Sequence, residues 1–320
     1  MAQRVERDKW LYVARTIGIA TVLIGLNMFI VHQLSRAMRS IAALVLLSTA
    51  LFLPAPASAE EAAWLAGEMA RVAAHRTDLP LLRTSSQPLM GYLARPDEPA
   101  RHPAVVELHG CGGFGPMDVV VADVLKSFGY VALALDSLGD ANVCEQNSGD
   151  GELAEAFDAY AALDWLADQS YVDFNRVALL GFSMGGGAAL TAVEPGLIED
   201  KKSRHFRAAI AYYPWCKDRA GLTSVPTLIL VGDRDDWTHA SWCQEMIARR
   251  DGQGSPVELT VYPGATHAFN FFPGAPRVYL GHHVEYDPKA TADAWKQVQG
   301  FLQEKLDGSG SADHTRVLRK

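Results

Sequence analysis

A serine set between small residues is the strongest chemical signal in this chain. Ser183 occupies the centre of a Gly-x-Ser-x-Gly pattern that runs from Gly181 to Gly185. The apolar run at 176–180 predicts a buried strand before it, and the alanine-rich run at 188–192 predicts a helix after it. A sharp strand-to-helix turn lifts a serine hydroxyl clear of the sheet, and glycines relieve the crowding such a turn creates. The pattern predicts a nucleophilic serine.

A serine hydroxyl is a weak nucleophile and needs a histidine base that a carboxylate orients. His267 is the preferred base among the ten histidines, because it lies in a Gly-Ala-Thr-His turn directly after the apolar run at 257–262. The other apolar run downstream, at 226–231, ends in an acidic turn. That turn supplies the carboxylate.

Three aspartates of the acidic turn compete for the orienting role: Asp233, Asp235 and Asp236. The turn usual in hydrolases has the spacing Gly-x-x-Asp, which selects Asp235 when it is counted from Gly232. Asp236 is the alternative. The aspartates that are not used would form an ordinary exposed acidic turn.

Two backbone N–H groups are expected to stabilise the negative oxygen that forms when an ester carbonyl is attacked. One is the N–H of Met184, directly after the serine. The other is assigned to Cys111, because the strand predicted at 104–108 is followed by the glycine-rich loop at 109–113. On this interpretation the side chain of Cys111 has no role.

Predicted strands and helices alternate along the chain, which favours one α/β domain with a mostly parallel, doubly wound sheet and flanking helices. Open parallel sheets place their sites beyond the carboxyl ends of the strands. Ser183, Asp235 and His267 each follow a predicted strand, so we expect the three side chains to meet at one edge of the sheet.

These motifs together resemble the dienelactone hydrolase family of the α/β-hydrolases, in a variant with a serine nucleophile. The resemblance spans roughly residues 85 to 306. It implies the α/β-hydrolase fold, a Ser-His-Asp triad and hydrolysis of carboxylic esters or lactones without a cofactor. The segments that carry it are 109–113, 181–186, 213–216, 232–238, 262–270 and 286–288.

Two features depart from the family pattern. The namesake enzymes use a cysteine nucleophile, where this chain has Ser183. They also bind a substrate carboxylate with arginines, one after the fourth strand and one after the catalytic histidine. The corresponding segments here, 136–140 and 268–272, contain no cation. Dienelactone is therefore a poor candidate substrate.

The first 59 residues are predicted to be a targeting region. Arg36 and Arg39 precede the apolar run at 41–53, and Ala-Ser-Ala at 57–59 is typical of a cleavage site. We expect a signal peptide at 38–59, export to the periplasm or beyond, and a catalytic domain at 60–306. The earlier apolar run at 17–31 leaves two alternatives: translation starts at Met38, or the run anchors the protein in the membrane.

Charge argues against nucleic acid as a partner. The whole chain has a formal net charge of −8. Cleavage after Ala59 removes six basic and two acidic side chains, which leaves a net charge of −12. Such a surface repels phosphate backbones. A small-molecule ester or lactone is the expected partner.

Four cysteines, an even number in an exported chain, favour disulfides. Three pairings of Cys111, Cys144, Cys216 and Cys243 are open, and Cys216–Cys243 is preferred because the two residues lie in neighbouring loops. No metal site is expected. A cluster of possible ligands is a poor candidate because its adjacent histidines point apart; its members are His282, His283, Glu285 and Asp287.

The short connection between Tyr213 and Pro226 leaves no room for a cap domain. An open, shallow pocket should follow, walled by residues 137–150 and 269–288. Most of the aromatic rings in the second segment are expected to pack the loop onto the domain. The tail at 307–320 is predicted to be disordered.

The sequence favours an exported serine hydrolase that acts on small esters or lactones. A peptidase or an acyltransferase could use the same three side chains. A binding protein with a hydrolase fold is a further alternative, but it would be expected to lack part of the triad.

Overall fold

The computed structural model describes residues 68–72, 89–137, 144, 148–271 and 276–308. Their main element is an eight-stranded sheet, whose strands are β1 (Glu68–Val72), β2 (Leu89–Ala94), β3 (His102–Leu108), β4 (Val131–Asp136), β5 (Val172–Phe182), β6 (Ala208–Tyr212), β7 (Thr227–Gly232) and β8 (Val257–Tyr262). Their order in the sheet is β1-β2-β4-β3-β5-β6-β7-β8.

The first two strands of this sheet pair antiparallel, β1 with β2 and β2 with β4. Every other neighbouring pair, from β4–β3 to β7–β8, is parallel. The expected mostly parallel, doubly wound sheet is confirmed. Since β3, β5, β7 and β8 run in one direction, the loops after them emerge at the same edge.

Among the described residues, five α-helices cover the two faces of the sheet: α1 (Pro116–Ser127), α2 (Ser148–Ala167), α3 (Met184–Ala192), α4 (Ala240–Arg249) and α5 (Pro288–Asp307). Alternate residues of a strand face opposite sides. Val105 of β3 accordingly packs with α1 and α5, whereas its neighbour Val106 packs with α2 and α3. Ile229 of β7 packs with α4 on that second side. Both faces are buried, which explains why the strands read as continuous apolar runs.

The segment between Tyr213 and Pro226 contains neither helix nor strand. The prediction that no cap domain is inserted there is confirmed. In the described part of the chain, no helix is both long and apolar enough to cross a bilayer. The targeting region at 1–59 lies outside the described residues.

A small hairpin after β8 was not predicted. Its strands, β9 (Arg277–Tyr279) and β10 (His282–Val284), form a separate two-stranded sheet. His267 follows β8, as predicted, and β8 is the last strand of the main sheet. Three-residue strands are too short to show the alternation that reveals a strand in sequence.

The carboxyl-terminal boundary also needs correction. Asp307, assigned to the tail, is the last residue of α5, and Gly308 ends the helix with φ of +69°. Asp307 accepts hydrogen bonds from Arg176 at 3.0 Å and from Tyr130 at 3.4 Å. These long-range contacts hold the last helical turn on the domain. The rest of the tail, 309–320, lies outside the described residues.

Candidate active site

Ser183 connects the end of β5 directly to the start of α3. Its backbone has φ of +54° and ψ of −110°, a conformation that a residue with a Cβ adopts only under strain. The turn is held from both sides, since Ser183 N–H donates to Tyr212 O and Gly187 N–H donates to Ser183 O, each at 2.9 Å. The sharp turn predicted from the sequence is present.

The flanking glycines are required by contact with neighbouring backbone. A Cβ at Gly181 would overlap the carbonyl of Gly185. A Cβ at Gly185 would overlap the carbonyl oxygens of Leu108 and His109, at the end of β3. The elbow and the loop after β3 are therefore pressed together, which places Ser183 beside the predicted oxyanion loop.

The structure brings the three predicted triad residues into one hydrogen-bonded line. His267 Nε2 lies 3.0 Å from Ser183 Oγ, and His267 Nδ1 lies 2.8 Å from Asp235 Oδ2. Asp235 is 2% exposed and His267 is 3% exposed. A carboxylate at Nδ1 selects the tautomer in which Nε2 is free to accept the serine proton.

Asp235 is held as an ionised carboxylate. Its burial alone would raise the pKa, but the hydrogen bond and charge of His267 outweigh burial and keep the pKa of Asp235 below its usual value. The N–H groups of Trp237 and Thr238 also donate to Asp235 Oδ1, at 2.9 and 2.7 Å. The group is thus suited to orient and stabilise an imidazolium.

The competing aspartates point to other partners. Asp233 accepts a hydrogen bond from Gly264 N–H at 2.6 Å. Asp236 Oδ1 lies 3.3 Å from His282 Nδ1, and Asp236 Oδ2 accepts from His283 N–H at 3.2 Å. Only Asp235 of the three contacts His267. The Gly-x-x-Asp spacing selects the aspartate with the required geometry.

Two side chains that the sequence analysis did not single out support this line. Thr238 Oγ1 lies 2.9 Å from both Asp235 Oδ2 and Tyr213 O, and 3.1 Å from His267 Nδ1. The ring of Tyr213 packs 4.7 Å from the His267 ring, and its hydroxyl donates to Asn270 at 2.7 Å. The sequence signal for the Thr238 contact is its spacing, three residues after Asp235, because polar side chains this close in sequence form local hydrogen bonds.

The predicted oxyanion donors, Cys111 and Met184, pack against each other. Met184 is the first residue of α3, so its N–H has no acceptor within the helix. The helix dipole also favours negative charge at this position. Cys111 lies in a tight turn closed by a 3.0 Å bond from Gly113 N–H to Gly110 O. Met184 directly follows Ser183, and a Cβ at Gly110, the residue before Cys111, would lie 3.7 Å from Ser183 Cβ, so both loops approach the nucleophile.

The side chain of Cys111 is not the bystander that we expected. It forms a disulfide with Cys144, with the Cα atoms 4.8 Å apart. The preferred pair, Cys216–Cys243, is confirmed as the second disulfide. Cys111–Cys144 is the pair that remains beside the preferred one, but the sequence does not establish that it forms, because only the adjacency of β3 and β4 brings these two loops together.

A buried acidic pair lies behind the loop after β3. Burial raises the pKa of Glu107 well above its usual value, and the negative charge of Asp118 raises it further. Burial likewise raises the pKa of Asp118 to about 6, although Gly115 N–H donates to it at 2.6 Å. Protonated Glu107 then donates to Asp118, so the pair connects β3 to the start of α1.

An aromatic wall borders the site, built differently from our expectation. The Trp237 ring packs 4.9 Å from the His267 ring and stacks on His282 at 4.4 Å. Tyr279 of the hairpin lies beyond it, 6.1 Å from Trp237. Phe269 is fully buried in the core, as expected for most rings of its segment. The principal ring comes instead from the turn that contains Asp235.

The possible metal ligands of the hairpin are engaged separately. His282 pairs with Asp236, whereas His283 pairs with Glu285 at 3.2 Å. Asp287 caps α5 by accepting from the N–H groups of Lys289 and Ala290. These side chains therefore serve the hairpin and the helix.

The sequence model of the dienelactone hydrolase family matches residues 89–306. This range contains every residue of the site described above. The chain belongs to the dienelactone hydrolase family. Its members act on ester bonds, and this family member is a hydrolase of that class.

Known relatives agree with the fold and length of the domain. A Bradyrhizobium protein named as a probable 2-oxo-3-(5-oxofuran-2-ylidene)propanoate lactonase is 29% identical over 245 residues, which cover 70% of this family member and 93% of the relative. A Thermogutta terrifontis esterase, solved with propionate bound, has a TM-score of 0.57 at 18% identity, over 75% of this chain and 95% of that one. A dienelactone hydrolase-like promiscuous phosphotriesterase from metagenomic libraries has a TM-score of 0.58 at 21% identity, over 75% and 99%.

Proposed function

We propose that this protein is an exported serine hydrolase that cleaves small carboxylic esters or lactones through an acyl-enzyme. The observation that carries the proposal is the line from Ser183 Oγ through His267 to Asp235, with contacts of 3.0 and 2.8 Å. Nucleophile, base and orienting group have the distances that acyl transfer requires.

In the first half-reaction, Ser183 Oγ attacks the carbonyl carbon while His267 Nε2 accepts the hydroxyl proton. The N–H groups of Cys111 and Met184 stabilise the negative oxygen of the tetrahedral intermediate. His267 then donates its proton to the leaving alcohol oxygen as the C–O bond breaks. The acyl group remains esterified to Ser183.

In the second half-reaction, His267 accepts a proton from water as the water oxygen attacks the acyl carbonyl. Collapse of the new intermediate returns the proton to Ser183 Oγ and releases the carboxylic acid. With a lactone the alcohol stays attached to the acyl group, so a single hydroxy acid leaves. Asp235, whose lowered pKa keeps it ionised, stabilises the imidazolium in both halves.

The substrate class follows from charge and surface character. Trp237 and the disulfide of Cys111 provide apolar surface beside the nucleophile. The segments where the family pattern has arginines carry none, and Asp236 adds a negative charge nearby. We therefore expect uncharged esters and lactones to be preferred over substrates that bear a carboxylate.

Export is supported by two disulfides, which persist in oxidising compartments. The basic pair at Arg36 and Arg39, the apolar run and Ala-Ser-Ala at 57–59 support a signal peptide cleaved before Glu60. Retention by an apolar anchor at 17–31 is the alternative fate, and mass spectrometry of the amino terminus in the native host distinguishes the two.

The decisive test is Ser183→Ala. Loss of the nucleophile should lower kcat on a p-nitrophenyl ester by on the order of 10⁶-fold. A thermal melt serves as the control for folding, since loss of one half-buried hydroxyl should change stability little. Turnover within tenfold of the unchanged protein would disprove the mechanism. A matched panel of esters, lactones, peptide amides and acceptor alcohols then separates hydrolysis of esters from peptidase and acyltransferase activity.

A further inference from the structure

The loop that supplies the proposed Cys111 donor has little intrinsic stiffness. Glycine precedes Cys111 and two glycines follow it, and each loses more conformational freedom on folding than other residues. A Cβ at Gly112 would meet nothing within 4 Å, so packing does not confine that side of the loop. The turn bond from Gly113 to Gly110 closes the loop but does not fix its direction toward Ser183.

The base of the loop is anchored by His109. Its Nδ1 lies 2.8 Å from Gly110 O and 3.1 Å from Glu155 Oε1, and both side chains are buried. This contact fixes the residue before Gly110. It leaves the tip, where the Cys111 N–H lies, to be held by other contacts.

The disulfide to Cys144 holds that tip. Cys144 follows β4, which is adjacent to β3 in the sheet, so the bond joins the loops of two neighbouring strands. Cys111 and Cys144 form one apolar cluster with Met184 and Trp237. Met184 carries the other proposed donor, and Trp237 packs on the base His267. The bond therefore lies among the groups that would surround the reacting carbonyl.

We propose that the Cys111–Cys144 disulfide is a positioning element for ester hydrolysis, which holds the Cys111 N–H where the transition-state oxygen forms. This inference rests on the proposed function. Catalytic hydrogen bonds are effective only when their donors are fixed before the reaction. The protein then reaches full activity only after oxidation, so that activity develops with export.

The first experiment compares Cys144→Ser with the double variant C216S/C243S, which removes the disulfide remote from Ser183. For a small p-nitrophenyl ester, we expect C144S to lower kcat by about 10- to 100-fold with KM changed less than threefold. Complete removal of a donor costs about 10²- to 10³-fold, and displacement should cost less. The folded C216S/C243S variant should keep kcat within twofold.

A second measurement distinguishes displacement of the Cys111 N–H from a general loss of structure around the site. A boronic acid forms a tetrahedral adduct with the serine and mimics the transition state, so its inhibition constant should rise by the same factor as kcat/KM falls. Titration with a fluorophosphonate counts molecules that still have a reactive Ser183. A kcat of C144S within twofold of the unchanged protein, per titrated site, would overturn the proposal. An equal loss in C216S/C243S would overturn it as well.

If C144S does not fold, the folded protein itself provides the test. Dithiothreitol transfers two electrons and two protons to the disulfide, which yields two cysteine thiols and cyclic oxidised dithiothreitol. Alkylation and mass spectrometry identify which bond has opened. Activity should fall in proportion to opened Cys111–Cys144 and return on oxidation; full activity with that bond open contradicts the inference. An inactive Ser183→Ala with fully active C144S would refute only this inference, whereas an active Ser183→Ala refutes the proposed function.

Discussion

The two disulfides of this protein are alike as bonds and different in their surroundings. They enclose similar lengths of chain, with sequence separations of 33 and 27, and their Cα atoms are 4.8 and 4.9 Å apart. The entropic model assigns each about 3–4 kcal/mol of stabilisation. Loop length therefore does not distinguish them; their positions do.

Cys216–Cys243 is entirely buried between β6, β7 and α4. Both cysteines are 0% exposed and pack against Ile229 and Met246. Cys111–Cys144 instead lies at the carboxyl edge of the sheet, where Cys144 is half-buried. We therefore expect Cys216–Cys243 to serve the stability of the domain, whereas the proposal above assigns Cys111–Cys144 to the geometry of the site. Changes near Cys111–Cys144 should then affect mainly kcat, and changes near Cys216–Cys243 mainly the free energy of unfolding.

Apart from loss of the nucleophile itself, the largest effect should come from Asp235→Asn, in the region of the Cys111 disulfide. Asparagine favours the wrong imidazole tautomer, and kcat should fall by about 10⁴-fold with little change in the melting temperature. The matched control is Asp236→Asn, which contacts His282 and should cost less than about tenfold. Steady-state kinetics on one neutral ester measure both. Equal losses would show that the hydrogen-bonded line does not define the triad.

The next largest effect should come from Cys216→Ala combined with Cys243→Ala. Loss of this disulfide should lower the free energy of unfolding by about 2–5 kcal/mol, as measured by urea denaturation. The rate per titrated serine should be unchanged, because the apolar side chains that pack around this bond, Leu190, Ile229 and Met246, lie outside the site. A rate loss above fivefold in the folded variant would contradict the proposal that Cys216–Cys243 stabilises the domain without affecting the site.

A smaller effect should follow pH, through the acidic pair behind the Cys111 loop. The pKa of Asp118 is about 6 in the folded protein, above its unfolded value, so Asp118 adds stability at low pH that is lost as pH rises through 6. Glu107, with a raised pKa, acts in the same direction. The lowered pKa of Asp235 acts oppositely, but only as pH falls through the acidic range below its usual value.

Urea denaturation at pH 5 and pH 8 measures this effect. The free energy of unfolding should be lower at pH 8, with Asp118 contributing on the order of 1–3 kcal/mol to the difference. Asp118→Asn should reduce the difference. The variant without Cys216–Cys243 should retain it, since that bond packs against apolar side chains. An unchanged pH dependence in Asp118→Asn would show that Asp118 is ionised throughout.

The parts of the fold and site that the sequence predicts are those encoded over short distances. Ser183 is flanked by its glycines, and Asp235 and His267 each follow an apolar strand. Because parallel strands end at one edge, local patterns suffice to bring these residues together. The parallel sheet itself is predictable for the same reason, since its buried strands are continuous apolar runs.

The parts that the sequence does not predict depend on contacts between distant loops. Cys144 lies close enough to bond Cys111 because β4 is adjacent to β3 in the sheet. The Trp237 ring is held beside the site by the hairpin, because His282 stacks on it. The hairpin strands are three residues long, with β9 exposed and β10 partly buried, so neither length nor hydrophobic alternation reveals them. Their pairing is specified by tertiary position rather than by local pattern.

The uncapped connection after β6 has a consequence for how substrates reach the site. Cys216 ties this connection to α4, and Arg219 ties it to α3 through hydrogen bonds to Thr191 Oγ1 and Gly187 O. These contacts fix the connection to the domain, and no helix or strand is inserted in it. The proposed hydrolysis therefore needs no movement of a cap domain at this connection, and the rate of substrate entry should not depend on one.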